Sequence, residues 1–100
     1  MRKVQHMVVV QFKMPEAATK IAPLFAALRE LPKRIEGILH FGGGPYASPE
    51  GRNQGFTHGF LFTFADAKSR DNYLTHPEHE RLLAEYLPYL ANVLVFDFEE

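Results

Sequence analysis

Tyr73-Leu74-Thr75-His76-Pro77-Glu78-His79 gathers three side chains able to donate or accept protons around one proline. Proline lacks an N–H, fixes its own φ and drives the residue before it out of helical conformation. A helix carrying Tyr73 must therefore stop near Thr75, and a second one can restart at Pro77, a residue suited to the first helical position. That bend fixes the directions of Tyr73, His76 and His79. Histidine titrates near neutrality, so the segment suits proton transfer. His79 is the strongest candidate; its structural alternative is to satisfy backbone groups or pack under the bend. Tyr73 taken alone reads as a half-buried aromatic with its hydroxyl at the surface. His76, beside the proline, is expected to cap the next helix or fix the bend.

Three further polar residues stand in otherwise apolar stretches. His6 opens the first strand, and Asp97 lies near the end of the last. If those strands are antiparallel neighbours, their opposite ends meet and a His6–Asp97 contact follows. The carboxylate would then fix the imidazole tautomer; the alternative is an exposed rim pair worth little. His58 begins a strand antiparallel to the first, toward the end opposite His6. Both histidines line one site only if a cleft runs lengthwise between sheet and helices; otherwise His58 is a packed core residue. His76, Glu78, His79 and Asp97 carry ligand atoms, but the proline spoils the regular helical spacing, so no metal site is expected. Gly42-Gly43-Gly44 is no phosphate loop, having neither a following Lys-Ser/Thr nor a helix start.

The elements that must position these residues follow from periodicity. Val4 to Lys13 is β-branched and reads as a strand, with His6, Val8, Val10 and Phe12 on one face. Ile21, Leu24, Phe25, Leu28 and Leu31 form a helical stripe, in a helix expected to begin near Thr19 to Ala22 and end at Pro32. Ile35 to Phe41 reads as a second strand, ended by the glycine run; residues 42 to 55 read as loop. Phe56 to Phe64 is a third strand, placing His58, Phe60, Phe62 and Phe64 together. Asp66 caps a helix to about Thr75, and a second piece from Pro77 carries Leu82, Leu83, Tyr86 and Leu87 as core before Pro88 stops it. Leu90 to Phe98 is the fourth strand.

This order is βαββαβ with a broken second helix. It predicts a single α+β domain, ferredoxin-like, with helices on one face of a four-stranded antiparallel sheet. The other face keeps Met7, Val9, Leu61 and one row of strand four uncovered. A patch of that kind implies a partner, and two sheets face to face would bury both patches, so a two-fold homodimer is expected.

Composition sets the outer bounds. One hundred residues make one domain with a modest core. A net charge of −1 and no basic run give no footprint for nucleic acid. With 0 cysteines, disulfides and thiolate metal sites are excluded. No apolar run approaches the roughly 20 residues of a membrane span, and Met1-Arg2-Lys3 leads into no signal peptide, so a cytoplasmic protein is expected.

Four pieces, HMVVVQFK (His6 to Lys13), GFTHGFLFTF (Gly55 to Phe64), YLTHPEH (Tyr73 to His79) and VLVFDF (Val93 to Phe98), resemble the stress-responsive dimeric α/β-barrel (Dabb) family. Together they touch all but the first helix and its following loop. The resemblance implies a ferredoxin-like monomer dimerising through its sheets. At the polar positions the chain is similar to a plant polyketide cyclase of that family. By that likeness His79 is the general base, Tyr73 orients it, and His6 and His58 line the pocket. Leu28 stands where the cyclase has a tyrosine and Phe60 where it has a smaller valine, so Phe60 is expected to narrow the pocket.

Two functions follow. One is a cofactor-independent cyclase or lyase acting on a small carbonyl or polyketide-like compound, with His79, Tyr73 and His6 catalytic and His58, Phe25, Leu28, Phe60 and Asp97 around the substrate. The other is a non-catalytic stress-responsive dimer that binds a small apolar ligand or stabilises other proteins. A haem-degrading relative of the same superfold is a third reading, although no residue specifically calls for haem.

Overall fold

The computed structural model describes residues 1–100. Strand β1 (Val4–Phe12) is followed by helix α1 (Ile21–Arg34), strands β2 (Ile38–Pro45) and β3 (His58–Phe64), helices α2 (Ala67–Leu74) and α3 (Pro77–Tyr86), a 3-10 turn at Leu87–Tyr89 and strand β4 (Leu90–Glu99). The sheet order is β2-β3-β1-β4, with every neighbouring pair antiparallel. This is the ferredoxin-like plan expected from the pattern of elements.

Alternation along β1 does what its apolar spacing dictates. Val4, His6, Val8, Val10 and Phe12 are buried beneath the helices. From β3, Phe62 and Phe64 join them with no exposed surface. Leu24, Leu28 and Leu31 of α1 close over that layer. Fully burying a side chain of this size contributes about 2–3 kcal/mol, so these few residues carry much of the fold.

Pro23 falls in the first turn of α1, where its missing N–H costs little. The helix does not stop at Pro32, however, but runs on to Arg34. Pro32 forfeits one backbone bond only. The Ile35 N–H still reaches the Leu31 carbonyl at 2.9 Å, so the last turn closes past the proline.

The glycine run corrects a second expectation. It is strand, not loop: Gly42 pairs with Leu61, Gly43 with Phe60, Gly44 with Gly59 and Pro45 with His58. A Cβ on Gly43 would lie 2.7 Å from the Phe60 Cβ and 3.0 Å from a ring carbon of Phe25. Glycine is there because two phenylalanines crowd the strand. β2 begins at Ile38 rather than Ile35, after a turn through Gly37 at φ +96°.

The helices lie over β1, β2 and β3, while β4 sits at the sheet edge. Val93 and Val95 are therefore exposed on the helix side, and Leu94, Phe96 and Phe98 on the other. With Met7, Val9 and Leu61 they form an apolar face that carries no charged side chain along its paired strands. No helix is long and apolar enough to cross a membrane.

Candidate active site

Local capping builds the bend. The Asp66 carboxylate accepts the Ser69 N–H at 2.8 Å and starts α2. The same hydrogen bonds hold its pKa below the usual carboxylate value. His76 is extended, as the residue before a proline should be. Its Nδ1 accepts the Glu78 N–H at 3.1 Å, and Pro77 takes the first turn of α3. His76 is thus a helix cap with its ring committed to the backbone, the structural role expected for it.

Tyr73 in the last turn of α2 and His79 in the first turn of α3 consequently face one another, ring centroids 4.2 Å apart. His79 Nδ1 lies 3.2 Å from the Leu74 carbonyl oxygen. A carbonyl only accepts, so Nδ1 carries the proton and Nε2 of the neutral ring keeps its lone pair. Burial lowers the His79 pKa; the Leu74 bond works the other way, and a charged His6 would lower it further. Neutral imidazole therefore dominates at pH 7. Burial, with a smaller push from Asp97, raises the Tyr73 pKa well beyond the ordinary phenol value, so Tyr73 stays protonated and can only donate or orient.

His6 lies 5% exposed on β1, its ring 5.7 Å from that of Tyr73 and 5.9 Å from that of Phe64. Its Nδ1 bonds Asp97 Oδ1 at 2.7 Å, across the register pair His6–Asp97 of β1 and β4. Asp97 Oδ2 takes a second bond, from Arg70 Nη1 at 2.7 Å.

His6, Tyr73 and His79 all line one cavity of about 240 Å³ between the sheet and the helices. Leu24, Leu28 and Phe60 line its α1 and β3 sides; Leu82 and Tyr86 come from α3. Leu83 and Leu87, expected as core, are exposed by 40% and 48% and face Val93 and Val95 across its rim. Their spacing is that of core residues, but they border a cavity because β4 has no helix packed over it. Of the 16 lining residues 14 are hydrophobic, so the site's polarity rests on two histidines and the hydroxyls of Tyr73 and Tyr86.

Three residues expected around the substrate lie elsewhere. His58 pairs with Val10, four residues along from His6, or about 13 Å at about 3.3 Å per residue. Its ring packs on Phe12 and Phe25, and burial lowers its pKa. Phe25 packs between His58 and Phe60, edge-on to the latter, outside the cavity lining. Asp97 stands behind His6 rather than in the cavity. No group of three or more His, Asp or Glu side chains is arranged to hold a metal ion. Arg70 carries little signal in the sequence, where Arg70-Asp71 reads as an ordinary surface pair; its one mark is a position one helical turn before Tyr73.

A four-stranded antiparallel sheet covered by helices on one side, with a cavity between the layers, defines a ferredoxin-like α+β protein. The chain belongs to the stress-responsive A/B barrel domain (Dabb) family, whose model matches residues 4–100. It is 23% identical over 95 residues to olivetolic acid cyclase of Cannabis sativa, covering 95% of this chain and 94% of that one. Among solved structures, a protein from Arabidopsis thaliana superposes with a TM-score of 0.89 at 32% identity, covering 97% of this chain and 94% of that one. A dimeric ferredoxin-like protein of unknown function from Jannaschia sp. CCS1 gives 0.88 at 28% identity, over 98% and 99% of the two chains. A hydroxynitrile lyase from Passiflora edulis shares the fold at 0.89 with 22% identity, over 98% and 93%.

Proposed function

We propose that this protein is a cofactor-free cyclase or lyase for a small carbonyl or polyketide-like compound, with His79 as general base. The observation that carries the reading is the bond from His79 Nδ1 to the Leu74 carbonyl, which leaves Nε2 as the basic atom of a neutral ring in an apolar cavity. His79 takes a proton from a C–H beside a carbonyl, or from a hydroxyl. In a cyclisation the enolate so formed attacks a second carbonyl of the same molecule, making a C–C bond, and the new alkoxide takes the proton back from the imidazolium. Tyr73, held neutral, donates a hydrogen bond to the developing oxyanion. A cyclase and a hydroxynitrile lyase among the relatives support a reaction of this type. Phe60 and Leu28 bound the cavity and favour a compact substrate.

The same proposal includes a homodimer joined through the apolar sheet face, supported by relatives described as dimeric, and a cytoplasmic location. The test is His79→Ala assayed against poly-β-keto and cyanohydrin substrates. A loss of about 100-fold or more in turnover with the fold intact is expected; unchanged turnover removes His79 as base. The almost wholly hydrophobic lining favours a second reading, a non-catalytic carrier of an apolar ligand. In that case His79→Ala binds the ligand as before, and neither protein turns any of the substrates over.

A further inference from the structure

Asp97 has two claimants. Arg70 Nη1 holds Oδ2 and His6 Nδ1 holds Oδ1, each at 2.7 Å. The three side chains come from α2, β1 and β4. The guanidinium is charged at every pH the fold survives, and its bonds to Asp71 and Asp97 raise its pKa further. One carboxylate balances one full positive charge. With Arg70 already on that carboxylate, a proton added to His6 would set a second positive charge against it, on a ring closed in by Phe64 and Tyr73. The neutral Nδ1–H form satisfies Oδ1 without that cost.

The remaining groups weigh less in this balance. Asp71 also bonds Arg70, at 2.8 Å, but its side chain is 66% exposed and water screens it. Tyr73 from α2 is neutral, Phe64 from β3 carries no charge, and His79 from α3 is neutral at pH 7. A positive His6 would oppose proton uptake by His79, as like charges do.

We propose that Arg70 is a positioning residue: by supplying the countercharge to Asp97 it holds His6 as the neutral Nδ1–H tautomer, so that His79 works beside an uncharged neighbour. This rests on the reading of His79 as base, yet its first consequence is a property of His6 that needs no substrate.

The experiment is nitrogen-15 NMR of the histidine rings in the full-length protein at pH 7, with His6 and His79 assigned by single substitutions. The parent should show His6 with one protonated ring nitrogen, Nδ1. In Arg70→Met both His6 nitrogens become protonated, and the His79 titration moves about one pH unit lower. Arg70→Gln, which keeps a hydrogen bond to Asp97 but no charge, behaves the same way and serves if the methionine variant fails to fold. Arg70→Lys restores the charge and the parental pattern. An imidazolium at His6 in the parent, or a His6 that stays neutral in the folded methionine or glutamine variant, overturns the proposal. If His6 responds while His79→Ala keeps its turnover, Arg70 has the stated role and His79 is not the base. If His6 is unmoved while His79→Ala is inactive, the base assignment survives and the role of Arg70 falls.

Discussion

Tyr73 and His79 pack ring against ring, centroids 4.2 Å apart and planes tilted by 42°, although a helix end, a cap and a helix start separate them in the chain. The contact exists because Pro77 forces the backbone out of helix at His76 and lets it back in at once. Tyr73 also packs on Phe62 and Phe64, at 5.5 and 5.1 Å, so one ring joins the core to the candidate base.

That double role separates two substitutions. Tyr73→Phe keeps the packing and loses only the hydroxyl; stability should change by less than about 1 kcal/mol while turnover drops about tenfold or more. Tyr73→Ala empties a buried aromatic site and should cost about 3–5 kcal/mol. Urea denaturation beside the turnover assay checks both. A phenylalanine variant with full turnover would leave Tyr73 a purely packing role.

The pH dependence of stability has a definite sign. Burial lowers the pKa of both His79 and His58 below 6.5, so each binds a proton more readily in the unfolded chain. Stability should therefore be full above that value and decline as pH falls from it toward the lowered folded values. Urea midpoints between about pH 5 and 8 measure this. Replacing His79 by Ala should make the decline shallower; an identical profile would show that His79 is not buried in its neutral form. For the proposed reaction, the base form persists to lower pH than in a free imidazole.

Gly43 should resist any side chain. Gly43→Ala sets a Cβ 2.7 Å from that of Phe60, with the Gly59 carbonyl at 3.0 Å leaving little room to yield. A loss of about 1–3 kcal/mol is expected. Gly44→Ala, where no atom lies within 4 Å, is the control and should be nearly neutral. Equal midpoints for the two would contradict the packing of β2 described above.

The sheet face should fail as an interface once charged. Phe96, 62% exposed, stands on the apolar face of β4 opposite Met7. In Phe96→Glu the proposed dimer should dissociate by light scattering at micromolar concentration, because a carboxylate buried against the partner sheet has no countercharge there. A variant that stays dimeric would move the interface to another surface. The His79 cavity lies on the opposite side of the sheet, so the monomer should still bind a cavity ligand.

The sequence by itself determined the order of elements, the helix-facing side of β1, the break at Pro77 and the capping role of His76. These rest on local rules: period-two alternation, proline geometry and helix ends. It also indicated the His6–Asp97 pair, because antiparallel neighbours bring opposite strand ends together. Tertiary structure alone decided the rest. Glycines 42 to 44 look like a loop until Phe60 and Phe25 claim the volume beside Gly43. Leu83 and Leu87 have the spacing of core residues, but the edge position of β4 leaves them on a cavity rim. His58 shares a face with His6, yet its register with Val10 carries it to the far end of the sheet. Arg70 meets Asp97 only because α2 passes over that end of the sheet. Periodicity tells which face a residue occupies; how far along that face it lies, and what is missing opposite it, is set by packing between elements distant in the chain.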